Sequence, residues 1–379
     1  MAQAILQPKD KTPAATATLY LSFELGNKDW KLTAGDGMHS ASRYSLSAGD
    51  VDAVIDRVAR ARKRFELTEA TVVRSCYEAG RDGWWLHRRL LELGFDNIVV
   101  DSSSIEVNRR ARRAKTDRLD GDKLLQMLLR HWRGEKVWSV VRCPTIEQED
   151  ARRDVRELGR LTHECTSHTN RVRGLLVLHN LRPKSVGGRL WKRWWEAHRD
   201  ELGVSLRSEV ERELARLELA RGQIKEIERA RDKQVEAKQH PVVDLLCRLR
   251  SIGQRSAWIL DKELLGWRTF SNRREVGASL GLSPTPYDSG DSRVEQGISK
   301  AANARLRSTL IEVAWSWLRF QPGSEVSRWF AQRFATSGKR SRRVGIVAVA
   351  RRLAIALWRY VETGEIPKGA VLKPVAVPS

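Results

Sequence analysis

The stretch AKTDRLDGDKLLQML begins at position 114 and sets Asp117 and Asp120 inside the densest positive charge of the chain. On a helix, residues three apart share one face with Cβ atoms about 5–6 Å apart. Two carboxylates so placed repel each other unless a cation bridges them. Hard divalent ions such as Mg²⁺ or Mn²⁺ take oxygen ligands and keep waters that a phosphate can displace, which makes the pair a candidate for metal-assisted phosphoryl transfer. Sites of that kind draw carboxylates from separate elements onto ions about 3.5–4 Å apart. Two further acids qualify: Glu24, mid-strand in LSFEL between apolar neighbours, and Glu78, at the strand end in YEAG. The alternative is structural, with T-D-R-L-D opening a helix, Asp117 close to its amide end and Asp120 paired with arginine.

Such acids act together only if the intervening elements bring them together. TLYLSFEL (18–25) alternates and is rich in β-formers, and KDWKLTAG (28–35) follows across Gly26-Asn27, which predicts an antiparallel pair of strands. A helical pattern covers about 48–64. TEATVVRSCYEAG (68–80) predicts a strand ending at a glycine turn, and DGWWLHRRLLELG (82–94) an amphipathic helix closed by Gly94. DNIVVDSS supplies a short strand, followed by a helix from about 116 to 131. This order indicates a mixed sheet with helices against it. From about 145 to 236 the chain turns helical and highly charged, with sparse apolar residues at three- and four-residue spacing and a break at 183–188. That pattern predicts an antiparallel helical hairpin that pairs internally or with a second chain; solvated charged helices are the alternative. Over 241–362 two helical patterns meet at Ile252-Gly253-Gln254, a turn segment GLSPTPYDSGDSR follows, and further helices complete the region. The expected fold class is α/β plus all-α: a disordered leader (1–17), an α/β domain (18–140), a helical coiled-coil connector (141–240), a C-terminal helical domain (241–363) and a flexible tail (364–379).

Charge bounds the partners. The 379 residues carry a formal net charge of +22, and the isoelectric point lies near 10.4. Such an excess repels itself unless a polyanion neutralises it, and nucleic acid is the leading candidate. No apolar run approaches the ~18 residues of a spanning helix, and the first residues lack the order of a signal peptide, so a cytoplasmic, nucleoid-associated protein is expected, with no membrane partner. Cys76, Cys143, Cys165 and Cys247 are scattered without C-x-x-C spacing, which indicates neither a zinc site nor a disulfide framework. Arg109, Arg110, Arg112, Arg113, Lys115 and Arg118 read as a phosphate-contacting segment, or alternatively as a solvated charged face. SIGQRSAW is compatible with a helix-hairpin-helix turn or with a simple interhelical one, and GKRSRRVG (338–345) is a further basic stretch. Trp84, Trp85, Trp191, Trp194 and Trp195 cluster beside arginine or lysine in a pattern suited to base stacking, although tryptophans more often fill cores.

The first 130 residues resemble the RuvC-like, RNase H-fold domain of the DEDD transposases of insertion sequences, the IS-one-ten group of bridge-RNA-guided recombinases. The resemblance is carried by LSFELGNKDWKL, CYEAG and above all AKTDRLDGDKL, which is similar to that family's K-T-D-x-x-D-A signature with Gly121 in place of the final alanine. It extends to FSNRREVGASLGLSP, YDSG and GISKAANARLR, similar to the family's second domain, where Ala302 stands at a usual glycine. It implies that Glu24, Glu78, Asp117 and Asp120 are the metal-binding acids, with Glu24 where the family usually has Asp and Asp29 close by. It further implies that Ser289 is the nucleophile on DNA. Locally, a serine beside Gly290 in a turn can approach a backbone phosphate, and Arg293, Lys300, Arg305 and Arg307 are placed to offset charge on a pentacovalent phosphorus; ordinary turn residues are the alternative for Ser289 and Ser292. The partners implied are donor and target DNA, a noncoding bridge RNA, and further copies of the chain, as a dimer or tetramer with acids and serine from different subunits. Two other functions fit the same residues: a metal-dependent, junction resolvase-like nuclease, and a non-catalytic nucleic-acid-binding relative.

Overall fold

The computed structural model describes residues 17–105, 117–289, 292–299, 303–334 and 336–374, with 117–120, 285–289 and 292–296 followed along the backbone only. Two compact units divide the chain, Met1–Pro144 and Thr145–Ser379. Among the described residues no helix is long and apolar enough to cross a membrane.

The first unit is built on a five-stranded sheet of β1 (Thr18–Leu25), β2 (Asp29–Gly35), β3 (Ser42–Ser47), β4 (Val72–Glu78) and β5 (Asp96–Val100), in the order β3-β2-β1-β4-β5. β1 pairs antiparallel with β2 and parallel with β4, and β4 is parallel to β5. The turn between β1 and β2 requires glycine: Gly26 N–H donates to the Asp29 carbonyl at 3.1 Å, and a Cβ on Gly26 would stand 2.4 Å from that oxygen. Helices α1 (Val51–Arg64), N-capped by Asp50, and α2 (Trp85–Glu92) bury Val54, Val58, Leu86 and Leu90 with Leu19, Leu21, Phe23 and Trp30. On a second core, α3 (Asp117–Trp132) packs Leu124, Met127 and Leu128 around Cys76 and Val100. Strand β3 is absent from the sequence-based expectation. Its residues, SRYSLS, are half serine, and they become a strand because β2 offers a ladder from Ser42 to Ser47.

The second unit holds the expected helical hairpin. After α4 (Ile146–Asp150), α5 (Arg153–Val177) pairs with α7 (Val204–Glu236), and Val172, Leu176, Val210 and Leu217 form the seam. Between them, just after the expected break at 183–188, lies α6 (Arg189–His198), a helix that the two-helix hairpin did not include, and it buries Trp191 and Trp195 in the same seam. These two tryptophans are core residues. Polar pairs lock the register of the hairpin: His168 Nδ1 lies 2.6 Å from Glu213 Oε2, and Arg171 donates to Glu209 at 2.6 Å. Burial by itself would raise the Glu213 carboxyl, but the hydrogen bond from His168, reinforced by Arg216, holds it below its ordinary value. The ionised carboxylate therefore favours the folded form, a contribution present above the ordinary carboxylate pKa and lost as pH falls through the lowered one. Between about pH 5 and pH 3, the melting temperature of the parent is expected to drop a few °C more than that of Glu213→Gln. Equal slopes in a thermal melt series would show that Glu213 contributes nothing.

Beyond the hairpin, α8 (Pro241–Cys247), α9 (Gln254–Leu260), a π-helical turn (Asp261–Leu265), α10 (Arg273–Ser279), α11 (Ala304–Phe320), α12 (Glu325–Phe334) and α13 (Lys339–Thr363) enclose one core around Trp317, Leu310 and Leu353. Two expectations need correction. This region is not all-α: the turn segment forms an antiparallel pair, β6 (Pro284–Ser289) and β7 (Ser292–Ile298), whose ladder overrides the prolines and glycine that read as a loop. At the joint between α8 and α9, Ile252 is buried and the Ser251 and Ile252 carbonyls accept from Ser316 and Lys373. The tail is not free over its described part, 364–374. Arg250 N–H donates to the Val371 carbonyl, Lys373 N–H to that of Arg248, and Gln321 brackets Val371 from both sides.

Candidate active site

The alternation of β1 and β4 assigns the first two acids to one face. Leu21 and Phe23 enter the core shared with α1 and α2, and so does Tyr77 of β4. Their neighbours Ser22 and Glu24, Cys76 and Glu78 therefore belong to the opposite face, the one covered by α3. In the parallel register Ser22 stands opposite Cys76 and Phe23 opposite Tyr77, so one further step brings Glu24 level with Glu78 at the C-terminal ends of the two strands. Neighbouring strands lie about 4.8 Å apart, which puts the two acids within reach of one small cation. Glu24 is half-buried, with Oε2 shielded from solvent, whereas Glu78 is exposed. Asp29, which opens β2, is exposed and lies past the end of β1. Across the other ladder Glu24 stands opposite Lys31, whose Nζ donates to Ser45 Oγ at 2.8 Å.

Gly121 anchors α3 over these strands. Its carbonyl accepts a buried hydrogen bond from Ser22 Oγ at 2.8 Å, and a Cβ at this position would fall 2.6 Å from Thr33 Oγ1. The absent side chain lets the helix approach both β1 and β2. Asp117 lies one helical turn before Gly121, and Asp120 one turn before Leu124, in the part of α3 followed along its backbone. The third acid of this run behaves differently: Asp122 accepts from Arg43 of β3, with Nε at 2.9 Å and a second guanidinium nitrogen on the other oxygen. Burial pushes the Cys76 thiol far above its ordinary range, so the thiol beside the site stays protonated. Among the described residues no group of three or more His, Cys, Asp or Glu side chains converges to hold a metal; Asp117 and Asp120 are outside that set.

The Gly121 contact has a measurable consequence. Gly121→Ala is expected to gain helix propensity, roughly 1 kcal/mol, yet lose about 1–3 kcal/mol to overpacking against buried Thr33. Adding Thr33→Ala removes the clashing hydroxyl, so the double variant is expected to be more stable than the sum of the single changes by about 1 kcal/mol in a denaturant-melt cycle. Additivity would mean that the two positions do not touch.

In the second unit, Ser289 ends β6 and pairs with Ser292 of β7. The base of this hairpin is closed by Ser299 N–H donating to the Ser283 carbonyl at 3.0 Å. Just beyond, Asn303 caps α11 through Arg305 and Leu306 N–H groups and donates to Glu263, at 2.9 Å. Glu263, 3% exposed, also takes two bonds from Arg156. A buried carboxylate so paired holds the exit of the hairpin against the helical body. Nothing in the sequence pattern separated Glu263 from the other acids of its region.

The expected phosphate contacts fare unequally. Arg109, Arg110, Arg112, Arg113, Lys115 and Lys300 lie outside the described residues, and Arg118 and Arg293 are followed only along the backbone, in α3 and β7. Arg305 donates to the Val155 carbonyl at 2.6 Å and covers Gly159, which makes it a packing residue of the second unit. Arg307 reaches the Leu280 carbonyl at 3.5 Å.

Comparison with known proteins places residues 243–327 in the sequence profile described as Transposase IS116/IS110/IS902 family. A Sinorhizobium fredii protein named as a transposase, y4rJ, is 40% identical over 94% of this chain and 94% of its own. A second from the same organism, y4qE, is 29% identical over 86% of this chain and 83% of its own. The transposase for insertion sequence element IS1111A of Coxiella burnetii is 26% identical, with 78% of each chain aligned.

Proposed function

Because the chain belongs to the IS116/IS110/IS902 family of transposases, we propose that it cleaves and rejoins DNA strands with an acidic metal site in its first unit and a serine nucleophile in its second. The observation that supports this reading most is the register that sets Glu24 level with Glu78 on the face covered by α3, the helix of Asp117 and Asp120. The order β3-β2-β1-β4-β5, with β2 antiparallel, is compatible with an RNase H-like, RuvC-type domain. Glu24, Glu78, Asp117 and Asp120 would hold Mg²⁺ or Mn²⁺, an all-oxygen set that suits a hard cation and that a shielded Glu24 oxygen fits. Bound there, the ion supplies positive charge where phosphoryl transfer builds negative charge.

Ser289 Oγ attacks a backbone phosphorus, the Oγ–P bond forming as the P–O bond to the departing strand breaks. The serine releases its proton to solvent, and the departing oxygen takes one up. The phosphodiester is thereby conserved as a protein–DNA ester, which a hydroxyl of the exchanged strand reverses. Arg293, Lys300 and Arg307 supply positive charge around this step; Arg305 supports it through the fold. Target choice comes from a noncoding bridge RNA that pairs with donor and target DNA, consistent with a net charge of +22. Acids and serine come from different copies in a dimer or tetramer. Sequencing the RNA that copurifies with the chain tests this: one discrete species complementary to both DNAs is expected, whereas random fragments would favour a junction resolvase-like nuclease or a non-catalytic binder.

A further inference from the structure

In the second unit an open cavity of about 600 Å³ lies between α10, the start of α12, α13 and the segment 365–368. Six cations line it, beside two acids and a larger set of apolar side chains. Arg273 and Arg274 come from the first turn of α10, Arg351, Arg352 and Arg359 from α13, and Lys368 from the C-terminal segment. Glu325 and Glu365 are the acids that line it, and among the described residues none of the six cations forms an ion pair. Like charges held this close destabilise one another unless an anion settles among them.

The cavity also has an aromatic wall. Arg352 Cζ sits 4.0 Å from the centroid of the Trp329 ring, and Arg333 Cζ lies 6.0 Å from the same ring. An arginine stacked on tryptophan presents a flat cationic platform of the kind on which unpaired bases stack. The segment that carries Lys368 is pinned to the start of α12, the helix of Trp329: Glu325 N–H donates to the Lys368 carbonyl at 2.9 Å. The volume is in the range that encloses one small ligand. A double helix keeps its base faces stacked inside and presents only base edges, sugars and phosphates, so it has no base face to lay on such a platform.

We propose that this cavity seats a nucleotide of an unpaired nucleic-acid strand, its base on the Arg352–Trp329 stack and its phosphates among Arg351, Arg359 and Lys368. The site goes beyond the strand-transfer reading and needs neither Ser289 nor the carboxylates of the first unit.

The test is fluorescence anisotropy on the full chain in chelator, with twelve-nucleotide oligo-uridine, oligo-thymidine and a duplex of equal length. Arg352→Gln combined with Arg359→Gln changes two exposed side chains and is expected to leave thermal unfolding unchanged. It should weaken binding of a single strand about tenfold and lower the slope of log affinity against log salt by about 1, while duplex binding changes less than twofold. Trp329→Ala should weaken single-strand binding in the same direction without altering the salt slope. Whichever oligomer binds more tightly identifies the strand as RNA or DNA. Asp117→Asn with Asp120→Asn should bind like the parent, which separates this site from the acidic one. Unchanged single-strand affinity in the arginine variant, equal losses for single strand and duplex, or displacement by tripolyphosphate as effective as by the oligomer would each overturn the proposal.

Discussion

Asp117→Asn combined with Asp120→Asn is expected to lower metal-dependent DNA strand cleavage by at least about a thousandfold while the first unit stays folded. Asparagine keeps the size of each side chain and removes only the charge that holds a divalent ion. Loss of a metal that contributes about 4 kcal/mol to the transition state corresponds to roughly that factor. The informative control is Asp122→Asn, one residue from Gly121. Its carboxylate is paired with Arg43, so its replacement should cost a little stability and leave cleavage within a few-fold. Binding of Mn²⁺ followed by electron paramagnetic resonance should vanish in the double variant and persist in Asp122→Asn. Unchanged DNA processing by the double variant would sink the metal site; equal damage from Asp122→Asn would reduce it to a matter of helix stability.

The second large effect is expected from Ser289→Ala, which should abolish the covalent protein–DNA adduct and cut strand exchange by about 10³ or more, the scale on which loss of a nucleophile acts. Ser292, its partner across the β6–β7 ladder, supplies the comparison: Ser292→Ala alters the same hairpin and should leave the adduct in place. Past the exit of the hairpin, Asn303 donates to Glu263, which also pairs with Arg156. If cleavage survives Ser289→Ala and no adduct forms in the parent, water is the nucleophile and the chain is a nuclease.

Local pattern determined the elements of the first unit other than β3 because each signal there was confined to a few neighbouring residues. Alternation specified β1, β2, β4 and β5, the glycine turns separated them, and the three-residue spacing of Asp117 and Asp120 marked one helical turn. The α5 and α7 hairpin was legible for the same reason, since its apolar seam repeats along each helix. Strand β3, the β6–β7 ladder and the anchored segment 364–374 were not legible. Their serines, prolines and glycines carry no local preference for a strand or a fixed path, and it is hydrogen bonds to distant partners that hold them. The same distinction applies within the site. Sequence alone nominated Glu24, Glu78, Asp117 and Asp120, together with Ser289 in the second unit. Only the tertiary structure aligned Glu24 with Glu78 through a parallel register, seated α3 on Ser22 and Thr33 at a residue without a side chain, and turned Asp122 aside to Arg43. Register and close approach are relations between segments far apart in the chain, so no stretch of sequence contains them.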